Sequence, residues 1–203
     1  GDISVHDISG NITIKATAYN KNSEVSSYAF HAMGSFSANK ISGKITVSAT
    51  AGARGFYAFD NFAVTDMSKM NLSVSGSYAY GIEVKKSLKV AATGLNLGKI
   101  TVNAKGNAWG VNVSDYIYYD SYASVLNNRL EGNITVKSQN GSAYGISADA
   151  FAQYENYAVV KNTEVICSAT VSVTGKSYAY GVHFYYGDLT LDNATITAKV
   201  TDK

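Results

Sequence analysis

The segment Gly-Lys-Ile-Thr-Val at residues 98–102 returns as Gly-Asn-Ile-Thr-Val at residues 132–136. In both copies a turn residue comes first, and apolar and polar side chains alternate after it. Alternation with a period of two is typical of a β-strand that buries one face. The first apolar residue of each of seven such copies is, in chain order, Ile12, Ile45, Leu72, Ile100, Ile134, Val171 and Ile196.

The copies are unevenly spaced, with successive intervals of 33, 27, 28, 34, 37 and 25 residues. A constant strand-turn-strand unit with loops of different length produces such intervals. If the units pile up at the strand spacing of about 4.8 Å, each side chain lies over its counterpart in the next unit. We therefore expect aliphatic columns inside and a column of hydroxyls outside. The predicted hydroxyl column is Thr13, Thr46, Ser73, Thr101, Thr135, Ser172 and Thr197.

A second segment lies later in each unit, where an aromatic residue follows Ala and Gly often comes next. We expect these rings to stack as a structural ladder and the glycines to allow a corner. The aligned aromatic residues are Phe30, Phe59, Tyr80, Trp109, Tyr144 and Tyr180. The polar residues after the corner are predicted to form a column of Glu83, Asn112, Ser147 and His183.

A third, looser strand completes each unit, and the longest loops are predicted at residues 114–120 and 148–155. This strand is placed at residues 36–38, 62–64, 88–90, 122–124, 157–159 and 189–191. Three strands per unit predict a roughly triangular cross-section, and no linker divides the chain. The sequence therefore predicts an all-β protein: a right-handed parallel β-helix (β-solenoid) of about six to seven coils that forms one domain over residues 1–203.

Composition agrees with this fold and argues against several functions. Pro is absent, 46% of residues are hydrophobic and only 16% are charged, which favours a folded protein of strands and turns. The net charge is +2 and the lysines are thinly spread along the sequence, so no basic stripe and no nucleic-acid partner are predicted. Direct membrane insertion is not predicted either, because no run of about 18 apolar residues occurs. Cys167, in an apolar run, is predicted to be a buried structural thiol.

The best copies combine the strand segments at 98–102 and 132–136 with Ala-Trp-Gly-Val at 108–111 and Ala-Tyr-Gly-Ile at 143–146. This pattern, from residue 10 to residue 200, resembles the passenger regions of bacterial autotransporters and related surface β-helix proteins. The resemblance implies an extracellular or bacterial cell-surface location and a role in adhesion, self-association or display of another domain. Since the N-terminus lacks a signal segment, we expect the chain to be a fragment of a longer exported protein.

The sequence contains no strong motif for catalysis, metal binding or cofactor binding. Proton transfer on a solenoid needs grouped carboxylates, and Asp115 with Asp149 form such a pair only if their loops fold over the same face. The three histidines lack the spacing of zinc ligands. Residues 52–55 are predicted to be a turn, because the Lys and helix of a phosphate loop do not follow. We predict no catalysis, no metal and no cofactor.

The tyrosine-rich segments give the strongest indication of binding. Tyr rings supply a large contact area at low entropy cost, which suits a glycan or a protein of a host or neighbouring cell as partner. The predicted ligand-binding residues are Tyr116, Tyr118, Tyr119, Tyr122, Tyr154, Tyr157, Tyr185 and Tyr186. The alternative is that alternate rings point inward and extend the core.

Three functions thus stay open. The first is a structural and adhesive surface protein that binds through these tyrosines. The second is a carbohydrate-active enzyme that uses Asp115 and Asp149, and the third is a module that self-associates along the Ser/Thr column. An ice-binding face is disfavoured, because the adjoining outward column is uneven and carries Lys15, Lys137 and Lys199.

Overall fold

In the computed structural model the chain is all-β, and the structure describes residues 1–17, 26–91, 93–119, 129–155, 158–161 and 164–201. These residues form eighteen strands. The strands are β1 Ile3–Ile8, β2 Asn11–Ala16, β3 Ser26–Ala32, β4 Phe36–Ala49, β5 Gly52–Ala58, β6 Asn61–Gly76, β7 Ala79–Val84, β8 Ser87–Val90, β9 Leu95–Ala104, β10 Ala108–Tyr119, β11 Arg129–Ser138, β12 Ala143–Glu155, β13 Ala158–Lys161, β14 Glu164–Cys167, β15 Thr170–Gly175, β16 Ala179–Tyr186, β17 Asp188–Leu191 and β18 Thr195–Val200.

Strand pairing is parallel throughout the described part of the chain, with one exception, the antiparallel pair of β12 and β13. One ladder runs from β2 through β4, β6, β9, β11 and β15 to β18. We call it the long ladder. A second ladder runs from β3 through β5, β7, β10 and β12 to β16. Each strand of either ladder pairs with the strand one sequence repeat away.

The register of the long ladder confirms the predicted alignment of the first segment at all six steps. The paired residues are Ile12 with Ile45, Ile45 with Leu72, Leu72 with Ile100, Ile100 with Ile134, Ile134 with Val171, and Val171 with Ile196. The five residues from Ile45 to Val171 in this column are at most 1% exposed. Alternation sets this register, because a slip by one residue would turn every aliphatic side chain to solvent.

The predicted alignment of the second segment is wrong in the first two units. In β5 it is Arg54, not Phe59, that pairs with Tyr80, and Arg54 pairs with Tyr28 on its other side. Phe59 lies beyond the end of β5 and is 45% exposed. Residues 52–55, predicted to be a turn, are the beginning of that strand.

The reason for this error is a substitution inside the motif. Ala-Arg-Gly-Phe at residues 53–56 keeps the Ala and the Gly of the pattern but places a guanidinium where the other units have a ring. An alignment that follows rings therefore shifts to the next aromatic residue. The ring of Phe30 instead stacks in the core on Phe56, with centroids 5.0 Å apart and an angle of 8° between the planes.

The two long loops predicted between the second and third segments are also wrong where the structure describes them. Residues 114–119 continue β10 and residues 148–155 continue β12. An irregularity in the β10–β12 register between Val113 and Tyr116 absorbs the extra residue, so pairing resumes beyond it.

The third column follows the predicted path through the first three units, where Phe36 pairs with Phe62 and Phe62 pairs with Leu88, and departs from it afterwards. Leu88 pairs with Ile117, and Ile117 pairs with Phe151. The predicted members 122–124 lie outside the described residues. Residues 158 and 159 belong to β13 in the antiparallel pair, and Leu189 pairs with Val165 of β14.

Buried glycines let the two ladders approach each other closely. We call them the glycine column, which consists of Gly55, Gly81, Gly110, Gly145 and Gly181. A Cβ on Gly110 would lie 2.5 Å from the Gly145 carbonyl oxygen and 2.6 Å from Ile134 Cγ2 of the long ladder. Glycine is required here because neighbouring backbone and core side chains occupy the space of any larger residue.

Cys167 is 1% exposed, as predicted, and burial raises the pKa of its thiol. Within the described ranges, no helix has the length and hydrophobicity needed to cross a membrane.

Candidate functional site

Two neighbouring columns of side chains line the outer face of the second ladder, and we call them together the aromatic strip. The first column consists of Tyr28, Arg54, Tyr80, Trp109, Tyr144 and Tyr180. The second column consists of His31, Tyr57, Glu83, Asn112, Ser147 and His183. The register therefore confirms the predicted column from Glu83 to His183 and extends it by two residues.

The four rings from Tyr80 to Tyr180 form a continuous stack. Ring centroids are 4.3 Å apart for Tyr80 and Trp109, 5.6 Å for Trp109 and Tyr144, and 5.2 Å for Tyr144 and Tyr180, with planes within 14° of parallel. Parallel strands impose this spacing, which is close to the strand separation of about 4.8 Å. Because each ring covers the face of the next one, the middle of the stack presents ring edges to solvent. Ring faces become available only where the stack ends.

Three highly exposed rings lie beside the end of the strip at β16. Tyr178 is 58% exposed, Tyr185 70% and Tyr186 60%, and these are three of the eight exposed large hydrophobic side chains among the described residues. Tyr178 and Tyr180 have centroids 6.1 Å apart, and His183 lies 4.9 Å from Tyr180 and 5.3 Å from Tyr185. We call Tyr178, Tyr180, His183, Tyr185 and Tyr186 together the tyrosine patch. Ring contacts link Tyr178, Tyr180, His183 and Tyr185 and hold these amphipathic side chains in place, and Tyr186 follows them as the next residue of β16.

The opposite part of the strip contains a buried ion pair. Glu83 is 1% exposed and accepts a hydrogen bond from Arg54 Nε, while Lys85 Nζ lies 2.6 Å from its other carboxylate oxygen. Arg54 Nη1 also donates to Ser26 Oγ and, at 3.4 Å, to the Tyr28 hydroxyl. The pair is therefore enclosed by hydrogen bonds, as a buried charge requires.

The guanidinium also takes the place of a ring in the stack. Its central carbon lies 5.0 Å from the Tyr80 centroid, 5.3 Å from Tyr28, 5.5 Å from Tyr78 and 5.9 Å from Tyr57. A planar cation stacks on aromatic faces as a ring does. Burial lowers the pKa of Arg54, but the hydrogen bond and charge of Glu83 outweigh that effect and raise the pKa above its ordinary value. Sequence analysis missed this cluster, although an alignment on Ala and Gly would have found it.

Tyr80 connects the ion pair to the stack. Burial, and secondarily the charge of Glu83, raise the pKa of its phenol from the ordinary 10.0 to about 12. The folded phenol thus keeps its proton at a pH where an unfolded one ionises. Ionisation of the unfolded chain consequently lowers the free energy of unfolding as the pH rises from 10.0 towards 12.

Replacing Tyr80 by Phe keeps the ring and is expected to remove part of this loss of stability at alkaline pH. Between pH 10.0 and 12 the free energy of unfolding of the variant should fall by about 1–2 kcal/mol less than that of the wild type. Urea unfolding at several pH values measures the difference. Tyr185→Phe is the control for removing a phenol from an exposed ring, and equal pH dependence of Tyr80→Phe and the wild type would contradict the prediction.

The structure brings some of the predicted binding tyrosines together. Tyr185 and Tyr186 lie in the tyrosine patch, and Tyr116 lies half-buried on β10. Tyr116 pairs with Ala150, which pairs with Tyr186, so these two tyrosines share a column two strands apart. The other predicted residues are not described in full. Tyr118, Tyr119 and Tyr154 lie on strands with side chains outside the described part, and Tyr122 and Tyr157 lie outside it entirely.

Asp115 and Asp149 fall at matching places on adjacent strands. Asp115 lies in the irregular stretch of β10 between Val113 and Tyr116, and Asp149 lies opposite it in β12, between Ala148 and Ala150. Asp115 is half-buried and Asp149 is exposed. A bulge, and not a pair of folded loops, therefore places the two residues at neighbouring positions on adjacent strands. The described residues contain no group of three His, Cys, Asp or Glu side chains able to hold a metal ion.

Comparison of the chain with protein-family models, curated proteins and solved structures finds no match. The resemblance to autotransporter passengers therefore stays a prediction. What the fold and the strip define is a class: an all-β protein of parallel strands with a stacked aromatic surface.

Proposed function

We propose that the chain is a right-handed parallel β-helix of six to seven coils that acts as an adhesive stalk outside a bacterial cell. In-register pairing of strands one repeat apart supports the helix. Between Ile45 and Leu72 the chain passes through β4, β5 and β6, which agrees with a roughly triangular coil. Right-handedness follows the general rule for parallel crossovers. The location rests on the resemblance alone.

The proposed activity is binding of a glycan at the tyrosine patch without chemical change. The observation that carries it is the exposure of Tyr178 and Tyr185, whose rings contact Tyr180 and His183 at the end of the stack, together with the exposure of the adjacent Tyr186. Rings fixed in advance lose little entropy on binding, so their contact area contributes efficiently to affinity. Phenol hydroxyls and the nitrogens of His183 offer hydrogen bonds to sugar hydroxyls beside the rings.

A panel of host and microbial glycans tests this proposal, with bound protein and new reducing ends both recorded. Tyr185→Ala combined with Tyr186→Ala is expected to weaken binding about tenfold or more, since each exposed aromatic anchor contributes about 1 kcal/mol or more. Phe59→Ala, which removes an exposed ring outside the patch, is the matched control and should bind like the wild type.

Two results would overturn the proposal in different ways. Unchanged glycan binding by the double variant would place the binding surface elsewhere. Cleavage that is lost in Asp115→Asn would favour the carbohydrate-active enzyme, for which the matching positions of Asp115 and Asp149 provide the specific observation.

A further inference from the structure

The outer face of the long ladder is a second surface with its own chemistry. Its middle column is the predicted run of hydroxyls from Thr13 to Thr197, which the register confirms. One flanking column consists of Asn11, Lys44, Asn71, Lys99, Asn133, Thr170 and Thr195. The other consists of Lys15, Ser48, Ser75, Asn103, Lys137, Thr174 and Lys199. We call these three columns the lysine face.

The lysine face is basic: its three columns hold no acidic residue, and Glu131 lies at one edge, in a cavity that Lys99 and Asn133 also line. Its exposed lysines are Lys15, Lys44, Lys99, Lys137 and Lys199. No Asp or Glu occupies any position of the three columns, and none of the five lysines is ion-paired to a residue that the structure describes. The face thus carries five positive charges in a chain of net charge +2. The register confirms the predicted outward column with Lys15, Lys137 and Lys199 and adds Lys44 and Lys99 on the other side of the hydroxyls, so lysines that are dispersed along the sequence share one face.

The positions of these charges suit an extended partner. Lys44 and Lys99 are two strands apart, as are Lys137 and Lys199, which corresponds to about 10 Å along the ladder. The two flanking columns are four residues apart on each strand, or about 13 Å. Hydroxyl and amide groups fill the space between the lysines, and Ser75 Oγ donates to Ser48 Oγ at 3.3 Å. Anionic groups along an extended polymer can therefore contact the lysines, while its neutral polar groups can form hydrogen bonds with the hydroxyl and amide groups between them.

The same positions argue against two other occupants. Two copies of this face placed against each other would bring ten lysines together with no acid in the facing columns, which disfavours pairing of copies along the Ser/Thr column. The three columns contain no aromatic residue, so single-stranded nucleic acid finds no base-stacking surface. A polymer with sugar hydroxyls and acidic groups complements both the lysines and the neutral hydroxyl and amide groups of the face.

We propose that the lysine face binds a linear polysaccharide bearing carboxylate or sulfate groups, at a site separate from the tyrosine patch. Attraction to exposed lysines is screened by salt, so affinity should fall steadily as ionic strength rises. The site does not depend on the glycan proposed for the patch, because the two surfaces lie on different ladders.

Heparin and polygalacturonate serve as probes, neutral dextran and duplex DNA as comparisons, and binding is measured at low and high salt. Lys99→Gln combined with Lys137→Gln is expected to weaken heparin binding about tenfold, from about 0.7 kcal/mol per exposed charge contact. Lys40→Gln combined with Lys86→Gln removes the same charge outside the face and should bind like the wild type. Thermal unfolding of both double variants verifies that they are folded.

Independence is tested with Tyr185→Ala combined with Tyr186→Ala, which should leave heparin binding unchanged even if glycan binding at the patch fails. An equal loss of heparin affinity in both double lysine variants would mean that the effect depends only on net charge, and would overturn the proposal. Dextran binding as tight as heparin binding would overturn it too, as would a preference for DNA over both acidic polysaccharides.

Discussion

Replacing Gly110 by Ala is expected to lower the free energy of unfolding by about 3 kcal/mol, at the upper end of the usual cost of overpacking. The new methyl group would lie 2.5 Å from the Gly145 carbonyl oxygen, 2.6 Å from Ile134 Cγ2 and 3.2 Å from Val136 Cγ2. Backbone pairing fixes the carbonyl, and close packing fixes the two core side chains, so relief requires separating the ladders. Urea unfolding of the two proteins measures the loss.

Gly106→Ala is the matched control for this substitution. A Cβ on Gly106 would meet Ser77 O at 3.0 Å, in a turn near the surface, so the expected loss is below about 1 kcal/mol. If the two variants unfold at the same urea concentration, the glycine column does not limit how closely the ladders pack.

Replacing Arg54 by Tyr is expected to destabilise the protein by about 3 kcal/mol, although it completes the aromatic column. The loss arises because Glu83, only 1% exposed, would keep a single cationic partner in Lys85, whose side chain is 40% exposed. Glu83→Asn alone should also destabilise, since it leaves the guanidinium of Arg54 desolvated without its carboxylate.

The double variant Arg54→Tyr with Glu83→Asn is expected to recover most of the stability. It gives two adjacent units the side chains that other units have, since the ring column otherwise carries Tyr or Trp and Asn112 already occupies the position paired with Glu83. A double-mutant cycle from urea unfolding should yield a coupling energy of about 2–3 kcal/mol. Additive losses would mean that Arg54 and Glu83 stabilise the fold separately and not as a pair.

The long ladder could be predicted from the sequence because its physical cause is local. Strict alternation around Ile45, Leu72 and Ile100 leaves only one register that buries the aliphatic side chains. The second ladder was harder to predict, because Arg54 replaces a ring and because a bulge near Asp115 lets β10 continue where a loop was expected. An arginine in place of an aromatic residue interrupts the aromatic pattern of the sequence. A bulge that accommodates one extra residue leaves no periodic signal either.

The candidate sites show the same division between local and long-range causes. Abundant tyrosine predicted binding, and the exposure of Tyr185 and Tyr186 agrees with that hypothesis without testing it. The sequence predicted one column of the lysine face, which carries Lys15, Lys137 and Lys199, but not the second column, which carries Lys44 and Lys99. Lys99 and Lys137 are 38 residues apart in the sequence and lie on adjacent strands of the same face only because β9 pairs with β11.

The intervals of 25 to 37 residues between paired strands also determine how the chain folds. Each new strand of the long ladder must close a loop of that length before it gains any pairing, and the entropy of closure opposes this step. Once two strands have paired, their edge is a template for the next, and every later step has the same modest cost. Folding is therefore expected to start with a slow nucleation event at one pair of neighbouring repeats and to proceed by successive addition along the axis.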